Sequence, residues 1–278
     1  MIDNNRQTSL ILLWLLIVIP FLVNAQPTNT PSTTGSLQVI YRIDYKLDSA
    51  IATPKSEQML LRISNGKSCF NSKSKYLMDS LLASTNALPS QERGKALSQS
   101  MPNIGKTQIF YSIFKEPTKD LVFYHDNIGS LDYQYQEKAP LFKWKITPVK
   151  NKVAGYECQQ AFASFGGRVF EAWFARDIPV SDGPYKFYGL PGLIVKVRDT
   201  HDNYVFELVS IHSDSNSLNI SAISSAPLIS KPKFQQAKLN DDLTFVDRMI
   251  GMGNQVPESM KQSYLAKLKR RNNPLELK

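Results

Sequence analysis

The chain has 278 residues, a net charge of +9 at pH 7, 42% apolar residues and two cysteines. That length suits one large β domain or two small ones with a substantial buried core. Two cysteines without a CxxC spacing argue against a zinc ribbon or a thioredoxin-type redox site.

The first 25 residues have the form of a cleaved leader. Arg6 and the α-amino group give a modest positive start, Leu10 to Val23 is apolar, and Val23-Asn24-Ala25 supplies the small residues a signal peptidase requires. The apolar run is shorter than the ~20 residues needed to span a bilayer. The expectation is an exported protein of the periplasm or cell surface, starting at Gln26 and not membrane-spanning after cleavage. Export sets nucleic acid aside and leaves anionic lipid or acidic glycan as matches for the positive charge. Residues 26–36 are rich in Pro, Thr and Ser and read as a disordered leader. A single β-rich domain is expected over 37–278.

From Leu37 to Leu47 apolar and polar residues alternate, which predicts a long half-buried strand. Met59, Leu61 and Ile63 repeat the pattern, and Asn65-Gly66 predicts a hairpin returning through Ser68 to Phe70. Leu77, Met78, Leu81 and Leu82 stand at helical spacing, so 74–85 is expected to be a helix. The polar stretch 86–102 reads as irregular. Strands are predicted at 107–114, 120–124, 131–136, 142–148, 156–165, 168–176, 193–198 and 203–211. The Ser-rich residues 213–230 read as an irregular connection. Helices are expected at 239–250 and, with a basic face, at 259–271, stopped by Asn272-Asn273-Pro274. No βαβ rhythm appears. The fold class is mainly β (α+β): a curved antiparallel sheet or half-barrel with one N-proximal helix and a basic C-terminal helix.

Cys69 and Cys158 are an even pair in a chain expected to be exported. They fit one disulfide, worth about 4 kcal/mol for so long a loop, or two buried free thiols. Pro191-Gly192 suits the two central positions of a type II turn. Tyr185, Phe187 and Tyr188 put three aromatics in four residues ahead of that turn. They read either as a plug for one end of the half-barrel or as a recognition loop at the mouth of an apolar cavity. On a strand at 168–176, Arg168 and Arg176 share one face and would clasp a carboxylate or phosphate, or stand solvated, with Trp173 pointing to the core. Of the three histidines, His125 and His201 each precede an Asp, but strand neighbours point to opposite faces, so surface histidine is the simpler reading. No catalytic residue, metal ligand or cofactor is assigned.

The hexapeptide Gly189-Leu190-Pro191-Gly192-Leu193-Ile194 resembles the name motif of the GLPGLI family of exported Bacteroidetes proteins. Its surroundings agree: Gly155-Tyr156 with Cys158, Gly167-Arg168, Ala172-Trp173-Phe174, Ile178-Pro179, Gly183-Pro184 and Phe187, and later Asn273-Pro274-Leu275-Glu276-Leu277. The resemblance implies export and a fold loosely similar to LolA-like half-barrels that shelter lipid. It carries over no activity or catalytic residue. Three functions follow as expectations: a non-catalytic carrier for a lipid or other apolar ligand on the concave face; an envelope protein docking on another exported protein or anionic glycan through the basic end, Lys261 to Arg271; and a hydrolase with an unrecognised site.

Overall fold

The computed structural model describes residues 36–139, 141–214 and 226–277. The leader, and residues 215–225 of the Ser-rich connection, lie outside the described residues.

Eleven strands form one antiparallel sheet: β1 (Ser36–Tyr45), β2 (Lys55–Ser64), β3 (Lys67–Ser72), β4 (Ser112–Glu116), β5 (Leu121–Ile128), β6 (Leu131–Lys138), β7 (Lys145–Val153), β8 (Tyr156–Phe165), β9 (Arg168–Ala175), β10 (Leu193–Asp199) and β11 (Tyr204–Asp214). Their order is β6-β5-β4-β3-β2-β1-β11-β10-β9-β8-β7. Two meanders, β1–β6 and β7–β11, therefore spread in opposite directions from one long-range pairing between β1 and β11. Asn65 and Gly66 close the β2–β3 hairpin with φ of 51° and 70°, the backbone that makes Asn-Gly a hairpin signal.

The sheet is open, and its two edges bend towards one loop. Lys186, in the loop between β9 and β10, pairs with Glu137 on edge strand β6, while Tyr188 in the same loop accepts a hydrogen bond from Trp144 beside edge strand β7. Flat, those edges would lie about 48 Å apart, ten steps of ~4.8 Å. One three-residue stretch, Lys186 to Tyr188, reaches both only because the sheet curls around it. Register shifts at Ile40/Tyr41, Ile146/Lys150 and Ile194/Lys196 supply local bends. The β7 edge is protected by Lys145, Lys150, Lys152 and Pro148, which discourage further strand pairing.

The alternating strands place Val39, Tyr41, Ile43 and Tyr45 on the inner face, with Met59, Leu61, Phe70, Ile113, Phe170, Ala172, Phe174 and Phe206. Trp173 is a correction: it stands half-buried on the opposite face and donates to Glu171, because Phe170, Ala172 and Phe174 take the inward positions. Cys69 and Cys158 are buried free thiols on β3 and β8, six strands apart in the sheet order. The disulfide alternative is therefore set aside. Burial raises both thiols, Cys158 to about 11.

The helices are α1 (Lys73–Thr85), α2 (Ser90–Ser100), α3 (Lys231–Gly251) and α4 (Glu258–Lys269). Helix α2 replaces the irregular stretch expected at 86–102. It buries no residue and has no apolar stripe; its only local signals are Pro89 before the first turn and Glu92 within it. Helix α3 starts eight residues earlier than expected, at Ser230-Lys231-Pro232, where proline fits the first turn.

Gly192 has φ +151°, and a Cβ there would overlap the Ala175 carbonyl and lie 3.0 Å from Arg176 Cα. Gly192→Ala is expected to cost about 3 kcal/mol in denaturant unfolding, as steric overpacking does. Gly66→Ala, in open space at φ +70°, is expected to cost about 1 kcal/mol.

Candidate functional site

The loop Arg176–Gly192 leaves β9, crosses the inner face and returns as β10. Its turn is tighter than type II: Gly192 N donates to Leu190 O at 2.8 Å, and Leu193 N is drawn to Ile178 O at 3.0 Å. That is a γ-turn centred on Pro191. The departure follows from Gly192 lying against the backbone of β9, which carries Leu193 away from the Leu190 carbonyl.

Tyr185 and Phe187 are buried, and Tyr188 is half-buried. Phe187 packs edge-to-face on Phe170 and Phe206, at 4.8 and 6.2 Å between centroids, and Phe142 lies 5.0 Å away. Tyr185 meets Tyr111 at 5.6 Å. The concave face expected to hold an apolar ligand is thus filled by the protein's own aromatic loop. Tyr185, Phe187 and Tyr188 are packing residues, because their rings supply the apolar area that the sheet alone leaves uncovered.

Two buried lysines hold this loop. Lys115 on β4 has no exposed surface; it pairs with Asp182 and donates to Gly183 O at 2.7 Å and Tyr185 O at 3.1 Å. Burial lowers its pKa, and the Asp182 charge opposes that shift. Tyr185 sits at φ +50°, a conformation few non-glycine residues adopt, with its carbonyl turned to Lys115. Lys186 is also fully buried. It pairs with Glu137 of β6, with Glu276 at 2.6 Å, and with the Tyr135 hydroxyl at 3.2 Å. Lys231 of α3 completes the lattice at 2.8 Å from Glu137 and 2.6 Å from Glu276. Tyr185 donates its hydroxyl to Glu276 as well. Burial pushes the Glu276 carboxyl up, but Lys186, Lys231 and Tyr185 together hold it below the ordinary carboxylate range.

Arg168 and Arg176 do not form an anion clasp. Arg168 is buried beside Asp199 at 3.1 Å and donates to Asn273 Oδ1, Pro274 O and Leu275 O. Its fork is already filled by the chain's own carbonyls. Arg176 lies just beyond β9 and is exposed, 5.9 Å from the centre of the Phe174 ring. His125 departs from the surface reading. It is half-buried, its pKa lowered by that burial, and Asp132 from the facing strand lies 3.5 Å away. His201 and His212 are exposed. Among the described residues, no group of three or more His, Cys, Asp and Glu is placed to hold a metal ion.

An open cleft lies elsewhere, where the β1–β2 connection meets α4. It measures ≈ 400 Å³ and is lined by Tyr45, Leu47, Ile51 and Ala266 on its apolar side. Lys46, Lys55, Lys267, Arg270 and Arg271 also line it, against the single acid Asp48. The basic half of this lining was legible in the sequence as the positive end of the chain. The β1–β2 half carried no signal, since Lys46, Ile51 and Lys55 read as ordinary turn and strand residues.

Residues 166–196 match a family model described as "Protein of unknown function (Porph_ging)". No curated protein matches the sequence. Among solved structures, two crystal forms of PNGF-II share the fold, with TM-scores of 0.53 and 0.52 at 12% identity. The likeness covers 75% of this chain and 34% and 33% of theirs, so the chain spans about a third of those relatives. MucB in complex with MucA(peri) is a more distant likeness, with a TM-score of 0.31 at 8% identity, over 70% of this chain and 56% of that one.

The lattice fixes a pH signature. Because the Glu276 pKa is depressed on folding, its contribution is complete above the ordinary carboxylate range and is lost as pH falls through the folded value. Glu276→Gln leaves Lys186 with one carboxylate and is expected to cost about 3 kcal/mol at pH 7. In thermal unfolding from pH 7 to pH 3, the parent and variant curves are expected to converge at the acid end.

Proposed function

We propose that this protein is an exported binding module of the GLPGLI family, and that its ligand is an amphiphilic anion of the fatty-acyl carboxylate class. One observation carries the reading: the ≈ 400 Å³ cleft combines an apolar side with five cationic residues and a single acid. The volume lies within the ~300–1,000 Å³ range of small-molecule sites. The acyl chain would lie along Leu47, Ile51 and Ala266, and the carboxylate would meet Lys267, Arg270 and Arg271. The leader at 1–25 supports export. The hexapeptide at 189–194, inside the stretch matched by the family model, supports the family. Because aromatic side chains fill the concave face, the carrier site is taken to be at the sheet's rim and not on its inside.

Titration with cis-parinaric acid, read by fluorescence, is expected to saturate at one site per chain and to weaken as salt rises, since exposed charges are screened beyond ~8–10 Å at physiological ionic strength. Lys267→Glu with Arg271→Glu is expected to weaken binding about tenfold or more, the equivalent of ~1.4 kcal/mol. Ile51→Asp, which puts a charge on the apolar side, is expected to weaken binding about tenfold or more at both low and high salt. Unsaturable binding, or equal affinity in all three proteins, would sink the cleft as the ligand site. The export half is checked separately by intact mass of protein recovered from its host, expected to begin at Gln26.

A further inference from the structure

The segment that follows α4, Asn272–Leu277, is held to the body far more tightly than the helix before it. Asn273 is 5% exposed. Its N–H donates to Leu47 O at 3.1 Å, its side-chain amide donates to Lys46 O at 2.7 Å, and its carbonyl accepts from the Tyr204 hydroxyl at 2.7 Å. Arg168 donates to Asn273 Oδ1 at 2.5 Å, to Pro274 O at 2.7 Å and to Leu275 O at 3.1 Å. Glu276 enters the Lys186–Lys231–Tyr185 lattice, and Leu277 N donates to Gly166 O at 2.6 Å. Helix α4, by contrast, buries no residue. It touches α3 through the Lys261–Asp247 pair and the Phe245–Tyr264 rings, 5.3 Å apart. Before it, Met252, Gly253, Asn254, Gln255 and Pro257 are exposed.

This is the arrangement of a ligand on a tether. The recognising groups belong to the start of the β1–β2 connection, the β8–β9 turn, β9, β11, α3 and the β9–β10 loop. The recognised groups are three backbone carbonyls, two backbone N–H groups, one Asn side chain and one carboxylate, within five residues. Pro274 fits because it has no N–H to satisfy and holds the preceding Asn273 away from the helical backbone.

We propose that this groove is a peptide-recognition site for an Asn-Pro-x-Glu segment, filled in cis by the chain itself and able to receive the same segment from a second copy. Exchange would carry α4 and the segment together about the hinge at 252–257. Every contact broken in cis is remade in trans, so the exchanged pair costs little beyond association. The cis form prevails at low protein concentration because the tether gives the segment a millimolar-range effective concentration. This inference is independent of the cleft's ligand.

The test uses the full chain with a protease site inserted between Gly253 and Asn254, cut after folding. The released α4 piece is expected to remain bound through gel filtration. A fluorescent peptide of residues 272–278 is expected to displace the segment and stay with the body. Asn273→Ala or Glu276→Gln in the peptide is expected to weaken retention about tenfold, since each removes hydrogen bonds worth ~1.4 kcal/mol or more. Loss of the cut piece at micromolar protein, or equal behaviour of the three peptides, would overturn the groove as a recognition site. Deleting residues 253–256 in the uncut chain is expected to give a dimer, because the shortened hinge cannot turn back. A folded monomer would overturn the exchange.

Discussion

The ammonium group of Lys186 has no exposed surface, and it lies within 6 Å of the ring centres of Tyr124, Tyr135, Phe165 and Tyr185. A charge moved from water into such surroundings costs several kcal/mol and survives only when paired and hydrogen-bonded. Its partners come from distant parts of the chain: Glu137 from an edge strand near the middle of the sequence and Glu276 from the last described turn of backbone. Lys231 then neutralises the second charge on that pair of carboxylates. Loop, sheet edge, α3 and terminal segment are thereby tied to one point. Removing any one member leaves an unpaired charge among aromatic rings, so these distant segments stand or fall together.

The same requirement explains why the inner face is full. A loop held by two buried lysines, Lys115 from β4 and its own Lys186, needs carbonyls and carboxylates at fixed positions, and the rings of Tyr185 and Phe187 complete the layer between those polar points. An acyl chain on the concave face would have to displace Phe187 from Phe142, Phe170 and Phe206. Nothing comparable fills the junction of the β1–β2 connection with α4, where Ile51 stays half exposed. Open space with an apolar wall is found where the charge lattice ends.

Strand rhythm was largely legible because alternation along β1, β2, β8 and β9 reflects one buried face, and the Asn-Gly hairpin and helix α1 followed from local rules. Helix α2 was hidden because a helix that buries nothing needs no apolar stripe. Trp173 was misplaced because a large aromatic suggests the core, whereas its indole N–H found Glu171 on the outer face. The site itself was least legible. Asp182 and Lys186 drew no reading, Arg168 read as an anion clasp or a solvated side chain, and Glu276 only as part of a resemblance, since a single sequence does not show that Lys186 and Glu276, 90 positions apart, meet. Lys115 and Lys186 are polar positions within otherwise apolar surroundings, and that mismatch with the pattern was the one available signal. The aromatic triplet drew attention to the right loop, but aromatic residues crowd plugs and binding mouths alike.

The stretch matched by the family model, 166–196, can be weighed residue by residue against these contacts. Gly166 accepts the Leu277 amide, and a Cβ there would press on Glu276. Arg168 gathers three acceptors of the following segment, Asp182 pairs Lys115, Lys186 centres the lattice, and Gly192 lets the loop pass the end of β9. These five residues are engaged by other parts of the same chain, whereas Arg176 in the same stretch stays exposed. In this chain the matched stretch thus supplies many of the contacts by which the sheet is plugged and closed. The cleft between the β1–β2 connection and the basic helix lies outside that stretch and shares none of its residues.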